Sequence, residues 1–129
     1  MTEENVEAMR RVIEASDRKD YQAVLADLDD EVEIDDTDIP EATGRDSFLA
    51  WIGRWDEAWE TWHIEDVEIR TGDDDQVIAL FTMVATGRGS GVELRRADAL
   101  VASFRNGKAV KVGYYNYQAQ ALKAVGLSE

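Results

Sequence analysis

The predominant spacing of the hydrophobic residues of this chain changes near His63, and this change restricts the possible folds more than any other feature. Before His63, apolar residues recur every three or four positions, as on one face of an α-helix. After it they alternate with polar residues, as in half-buried strands. Helices followed by a run of strands are typical of an α+β fold. The length of 129 residues fits one such unit, so we predict a single domain over residues 1–129.

Two amphipathic helices are predicted in the N-terminal third. The first carries Val6, Met9 and Ile13 at helical spacing, and the polar residues 17–20 interrupt the pattern. Asp20 is a suitable N-cap for the second helix. The second helix continues the apolar stripe at Tyr21, Val24, Leu25 and Leu28.

A short strand and a long aromatic helix are predicted next. Val32 and Ile34 alternate with a glutamate, which favours a strand, and residues 37–43 contain the only proline and are predicted as a loop. The helix begins at Gly44. Its apolar residues share one face and are Phe48, Trp51, Ile52, Trp55, Trp59 and Trp62.

The rest of the chain is predicted as a meander of four strands closed by a short helix. The strands span about 63–71, 76–87, 91–105 and 109–117, and the helix spans 118–125 with Gly126 after it. Asn106-Gly107 between two alternating segments is a strong hairpin signal. Long antiparallel strands twist and curl, so we expect a mostly antiparallel sheet wrapped around the N-terminal and central helices. This arrangement would form a cone with an apolar pocket inside.

Composition narrows the function classes. The net charge of −14 opposes binding to nucleic acids and to anionic membranes. No apolar run approaches the length of a transmembrane helix, and the acidic N-terminus does not resemble a secretory signal, so we expect a cytoplasmic protein. Cysteine is absent and His63 is the only histidine, so neither a metal site nor a cofactor is expected.

The inner face of the third long strand is predicted to carry an ion pair. Alternation puts Arg96 and Asp98 on the same face as Leu100, and this face is the more apolar one near the hairpin. A buried carboxyl can hold or take a proton near neutral pH, so Asp98 is a candidate general acid or base, with Arg96 orienting it. If the faces are inverted, or if the pair lies at the sheet rim, both side chains contact solvent instead.

Several segments resemble the SnoaL-like branch of the nuclear-transport-factor-2-like superfamily. They are Asn5-Val6-Glu7 to Asp20-Tyr21, Asp30-Glu31-Val32-Glu33, Gly44-Arg45-Asp46, Phe104-Arg105-Asn106-Gly107-Lys108, and Tyr115 to Leu127. The resemblance implies a cone-shaped pocket and a homodimer formed through the outer face of the sheet. This fold carries isomerases, cyclases, hydrolases and non-catalytic binders, so the resemblance alone does not select one reaction.

Two members of the superfamily bear on the candidate site. The Arg96-x-Asp98 spacing resembles that of limonene epoxide hydrolase, but Tyr114 stands where that family has a second aspartate, and it could donate a hydrogen bond to a substrate oxygen. The oxyanion-hole positions of ketosteroid isomerase correspond to Val12 and Leu100, which argues against steroid isomerisation. The resemblance keeps an acid at the end of the first strand, either Asp36 by alternation or Asp35 after a shift of one residue.

The sequence therefore predicts a cofactor-independent acid–base enzyme that acts on a small, apolar, oxygenated molecule, as a cyclase, isomerase or hydrolase. Asp98, Arg96, Asp36 and Tyr114 are its candidate catalytic residues. The predicted ligand-binding residues are Trp55, Trp51, Leu100, Asn116 and Tyr21. The alternatives are a non-catalytic small-molecule binding module and a structural protein whose function is dimerisation.

Overall fold

Helices and strands follow each other in the order that the change of spacing predicts. The computed structural model describes the backbone of residues 2–36 and 39–127 and the side chains of residues 3–35 and 43–127. The elements are α1 (Thr2–Asp17), α2 (Tyr21–Leu25), β1 (Leu28–Asp36), β2 (Ile39–Thr43), α3 (Arg45–Ala58), β3 (Trp59–Thr71), β4 (Gln76–Gly87), β5 (Glu93–Arg105), β6 (Lys108–Tyr115) and α4 (Gln118–Ala124). The predicted α+β class with a curved sheet is confirmed.

One six-stranded sheet has the order β2-β1-β6-β5-β4-β3. All neighbouring strands pair antiparallel except β1 and β6, which are parallel. Asn106 and Gly107 both have positive φ angles, 54° and 78°, as a two-residue type I′ hairpin requires. The hairpin between β5 and β6 therefore follows from the sequence.

The N-terminal predictions were wrong in two places. Leu28 belongs to β1 and not to the second helix, which ends at Leu25. Residues 39–43, predicted as a loop, form the strand β2. This strand lies at the edge of the sheet, where Pro40 is tolerated because an edge strand needs fewer backbone donors. Asp20 does cap α2, since its side chain accepts a hydrogen bond from the backbone N–H of Ala23.

The aromatic helix is also shorter than predicted. It ends at Ala58, so Trp59 and Trp62 lie in β3 rather than on the helix face. Trp62 and Ile64 also alternate, and Trp62 pairs with Ala85 of β4. Long-range strand pairing therefore overrode a local spacing that was compatible with either structure.

The sheet packs a hydrophobic core on each face. The larger core lies on the inner face, between the sheet and α1, α2 and α3. The smaller one lies on the outer face, where Leu122 and Val125 at the end of α4 cover Ile78 and Leu80 of β4 and neighbouring residues of β5. None of the helices among the described residues is long and apolar enough to cross a bilayer.

Candidate active site

Asp98 lies on the inner face of β5 and is completely buried, with a solvent-exposed fraction of 0%. Leu100, Ala102 and Phe104, at alternate positions further along β5, are part of the inner core. The strand therefore faces inward at the positions that alternation predicts. A buried carboxylate needs a partner for each of its oxygen atoms, because its charge has lost the water that would otherwise solvate it.

Arg96 supplies a two-point partner for Asp98. Its Nε donates to Oδ1 at 2.6 Å, and its Nη2 donates to Oδ2 at 3.0 Å. The hydrogen bonds to Asp98 raise the pKa of Arg96, which stays charged. The Arg96 side chain is 34% exposed, whereas the Asp98 side chain is not exposed. Arg96 thus connects the protein surface with the buried carboxylate of Asp98.

Tyr114 completes the group from the neighbouring strand. β6 pairs with β5 so that Tyr114 lies opposite Leu100, and its hydroxyl donates to Oδ2 of Asp98 at 2.5 Å. Burial, followed by the negative charge of Asp98, raises the pKa of Tyr114 far above its ordinary value, so the phenol stays protonated. The structure thus brings three predicted site residues, Arg96, Asp98 and Tyr114, into one hydrogen-bonded chain.

An apolar cavity lies next to Tyr114 inside the sheet. Its volume is about 40 Å³, which is room for about three water molecules. Ser16 and Tyr114 bring hydroxyl-bearing side chains to its lining, and the other lining residues are hydrophobic. The hollow is smaller than the deep pocket predicted from the sequence, because the inner face is filled with aromatic rings. Tyr114 contacts Trp55, Trp51 and Phe81, with ring centroids 5.2, 5.8 and 6.1 Å away.

The predicted ligand-binding residues divide into two groups. Trp51, Trp55 and Leu100 line the cavity. Tyr21 does not, because its hydroxyl donates to Asp56 at 2.8 Å. Asn116 does not line it either. It lies with Arg96 in an open surface depression of about 540 Å³, next to the first turn of α4.

The two carboxylates considered at the end of β1 are in different situations. Asp35 is exposed, so it does not face the inner core. The Asp36 side chain lies outside the described residues. Its backbone pairs with Tyr114 of β6, which places the end of β1 beside the chain of site residues.

Sequence reasoning missed Trp62, Ser16 and Gln118. Trp62 and Ser16 line the cavity. The Gln118 side-chain amide donates to the backbone carbonyl oxygens of Asp98 and Phe81, at 3.0 and 3.3 Å. The alternation of Trp62 with Ile64 could have identified Trp62 as an inward strand residue, but nothing local distinguishes Gln118 from the exposed Gln120.

The side chains described here do not form a metal site, because no group of three His, Cys, Asp or Glu residues comes together among them. His63 was predicted at a helix-to-strand junction, and it lies within β3. Its Nε2 is 2.6 Å from an oxygen of Glu65, on the outer face of the sheet.

A curved, mostly antiparallel sheet around helices is the fold shared by the solved structures that resemble this chain, one of which is described as having a ketosteroid isomerase-like fold. The family model of the SnoaL-like domain matches residues 9–112. This chain belongs to the SnoaL-like domain family, as its sequence suggested.

Several solved structures share this fold at low sequence identity. A candidate polyketide cyclase from Xanthomonas campestris is 20% identical, with a TM-score of 0.81, and the match covers 96% of this chain and 98% of that one. A protein with a ketosteroid isomerase-like fold from Catenulispora acidiphila, in complex with trimethylamine, is 17% identical, with a TM-score of 0.75 and coverage of 94% of this chain and 93% of that one. TerC, co-crystallised with polyporic acid, is 14% identical, with a TM-score of 0.78 and coverage of 95% and 97%.

At these identities the similarity shows the fold alone. No protein of curated function matches the chain by sequence. The function is therefore argued from the site itself.

Proposed function

We propose that this protein is a cofactor-independent acid–base catalyst for a small, apolar molecule that carries an oxygen function. The observation that carries the proposal is the chain of Arg96, Asp98 and Tyr114, which connects a buried carboxylate to the wall of an apolar cavity. Acid–base chemistry needs a proton carrier held in a fixed position, and the hydrogen bonds to the Asp98 carboxylate hold it so.

Arg96, Asp98 and Tyr114 each have a separate role in the proposed reaction. A hydroxyl of the substrate, bound next to Tyr114, gives its proton to the phenol oxygen while the phenol gives its own proton to Asp98. The reverse transfer protonates a substrate oxygen that leaves or opens. Arg96 fixes the carboxylate in place and balances its charge before the proton arrives. The raised pKa of Tyr114 opposes a free phenolate, so the two transfers must be concerted.

The lining of the cavity restricts the substrate class. Apart from Ser16 and Tyr114, the lining side chains are hydrophobic, so most of the substrate must be apolar. Charged groups on the substrate would lose their hydration without gaining a partner. Neutral rings with one hydroxyl, carbonyl or epoxide oxygen fit these requirements, as candidates for isomerisation, cyclisation or hydrolysis.

The first test uses a panel of small cyclic hydroxyketones, ketones and epoxides. Incubation in deuterated water, followed by NMR, detects deuterium incorporation, isomerisation, ring closure and ring opening, whichever product is formed. We expect Asp98→Asn to lower any activity found by about 10²–10⁴-fold, the range for loss of a positioned acid or base. Circular dichroism should show that the variant remains folded.

Glu93→Gln on the same strand is the matched control, because the Glu93 side chain is exposed and accepts a hydrogen bond from Arg95. Turnover that survives in Asp98→Asn and is equally unaffected in Glu93→Gln would remove Asp98 from the reaction.

A non-catalytic binding module is the second candidate, and one observation favours it. Both oxygens of Asp98 already accept hydrogen bonds from Arg96 and Tyr114, so the carboxylate has a structural role even without a substrate. In a binding module, Asp98→Asn would leave ligand affinity largely intact. Titration of the Trp51 and Trp55 fluorescence with the same panel of compounds would measure this affinity.

The homodimer implied by the family resemblance is also part of the proposal. α4 already covers the apolar patch around Leu80 on the outer face. The neighbouring outer surface carries the exposed network in which Glu65 contacts Arg95 at 2.7 Å and His63 at 2.6 Å. A dimer formed through this face would bury charged groups, so we expect it to be sensitive to salt. Light scattering after size exclusion at low and high salt tests this.

The predicted cytoplasmic location stays a prediction.

A further inference from the structure

We infer that the last turn and a half of α3, residues 54–58, is a hinged flap that opens the cavity. This segment is called the α3 flap below. The inference does not depend on the proposed reaction, because a binding module needs access to the cavity just as an enzyme does. It rests on the size of the cavity, on Gly53, and on the hydrogen bonds of Asp56.

The cavity cannot admit a substrate without movement of one wall. Its volume of about 40 Å³ is well below the roughly 150 Å³ of a protein cavity that binds benzene. The walls contributed by β4, β5 and β6 are interior strands with a hydrogen-bonded neighbour on each side, so their displacement would break two ladders. The wall contributed by α3 has no such ladder, since a helix satisfies its backbone groups within itself.

Gly53 provides the hinge at one end of the flap. A Cβ atom added to Gly53 would meet no other heavy atom within 4 Å, and its φ is not positive. Neither close packing nor backbone conformation therefore requires glycine here, although glycine weakens a helix interior relative to alanine. The other end of the flap joins β3, whose pairing with β4 is irregular between Trp59 and Thr61.

Asp56 holds the flap closed. Its carboxylate accepts one hydrogen bond from the Tyr21 hydroxyl and one from Trp62 Nε1, each at 2.8 Å. Arg88, in the hairpin between β4 and β5, donates to the backbone oxygens of Asp56 and Glu57 at 2.6 and 2.8 Å. The contacts of Arg88 are exposed and those of the Asp56 carboxylate are partly buried. None of them belongs to a strand ladder, so they can be broken and re-formed without disturbing the sheet.

Trp55 is the part of the flap that covers the site. Its ring lies between Trp62 and Tyr114, with centroid distances of 6.2 and 5.2 Å. Trp55 is half-buried, whereas Tyr114 is only 7% exposed. Movement of the flap would therefore uncover the cavity next to Tyr114, the residue that contacts Asp98.

Hydrogen exchange on the full chain tests this without any substrate. NMR would compare the amide of Trp59, which bonds to the carbonyl oxygen of Trp55, with the amide of Leu100 in β5. We expect the Trp59 amide to exchange at least about tenfold faster, through local opening. Asp56→Ala should raise this exchange by a further tenfold or so, since it removes two hydrogen bonds. Glu57→Ala is the matched control, because the Glu57 side chain is exposed.

Two further variants keep the test decisive if Asp56→Ala fails to fold. Arg88→Ala removes only exposed contacts and should raise exchange at Trp59 several-fold, whereas Gly53→Ala should lower it about fivefold. Quenching of Trp55 fluorescence by acrylamide should likewise increase in Arg88→Ala and decrease in Gly53→Ala. The Trp55→Phe variant shows how much of the total tryptophan fluorescence comes from Trp55. Equal exchange at Trp59 and Leu100 in the wild type, or equal effects of Asp56→Ala and Glu57→Ala, would overturn the inference. Neither result depends on whether turnover is found.

Discussion

At the scale of single residues, Asp98 is a buried acid whose carboxylate is hydrogen-bonded by two side chains. Arg96 precedes it by two positions on the same strand, and Tyr114 reaches it from the next strand. Burial of one charge without its partners is costly, so such a group is either completely satisfied or absent. The arrangement therefore supports the fold and, in the proposed reaction, also holds the proton carrier.

The coupling between Asp98 and Tyr114 can be measured as a free energy of unfolding. We expect Asp98→Ala to destabilise the protein by about 3 kcal/mol, because it leaves Arg96 and a buried hydroxyl without their acceptor. Tyr114→Phe removes one hydrogen bond and should cost about 1–2 kcal/mol. Urea unfolding of the wild type, both single variants and the double variant gives a double-mutant cycle. Additive effects would show that the hydrogen bond at 2.5 Å contributes no coupling.

Alkaline pH should weaken the fold through Tyr114 and Tyr21. Burial raises the pKa of both phenols in the folded state above the ordinary value of 10.0. The folded protein therefore keeps these protons while the unfolded chain releases them, so the stability is fully present below pH 10.0 and falls as the pH rises above it. Urea unfolding from pH 8 to 11.5 measures this fall, which should be smaller in Tyr114→Phe. An identical pH dependence in the wild type and this variant would contradict it.

At the scale of elements, the end of α3 shows why its boundary could not be read from spacing. Phe48, Trp51, Ile52 and Trp55 continue to Trp59 and Trp62 at helical intervals. The chain nevertheless leaves the helix at Ala58, because the following residues, Trp62 opposite Ala85 among them, pair with β4 as the edge strand β3. Trp62 is buried in the inner core as a strand residue, so the sequence placed it correctly on an apolar face but in the wrong element, and did not identify it as a lining residue.

Two glycines in different elements form a matched pair for a stability experiment. An alanine at Gly53 meets open space, so Gly53→Ala should stabilise the protein by about 0.5–1 kcal/mol through the helix preference of alanine. An alanine at Gly72 would place its Cβ 2.6 Å from the Val125 Cβ and 2.8 Å from the Val125 carbonyl oxygen. Gly72→Ala should therefore destabilise the contact between the β3–β4 turn and α4, by about 1–3 kcal/mol.

The melting temperatures of Gly53→Ala and Gly72→Ala, compared with that of the wild type, test these two expectations. Shifts in opposite directions are expected, because the added methyl group meets open space on a helix at Gly53 but collides with Val125 at Gly72. If Gly72→Ala is neutral, then α4 does not pack against the turn as tightly as the contact with Val125 indicates.

At the scale of the whole molecule, the sheet encloses far less empty space than its shape suggests. α1 and α3 contribute the large apolar side chains Ile13, Phe48, Trp51 and Trp55, and the resulting cavity holds only about 40 Å³. Protein interiors fill to crystal-like density, so a curved sheet lined with rings closes on itself unless a ligand keeps it open. Function in such a molecule depends on movement of a wall as much as on the residues of the site.

The sequence by itself determined the order of the elements other than β2, the hairpin at Asn106-Gly107 and the inner face of β5 with Arg96 and Asp98. These features are local, because alternation and turn residues fix the direction of each side chain within a few positions. The tertiary structure decided the assignment of β2 and of Trp62 to strands, the contact of Gln118 with Asp98, and the volume of the cavity. Each of these depends on which distant segments pack together, and that choice is made by the burial of the whole core rather than by any single stretch of chain.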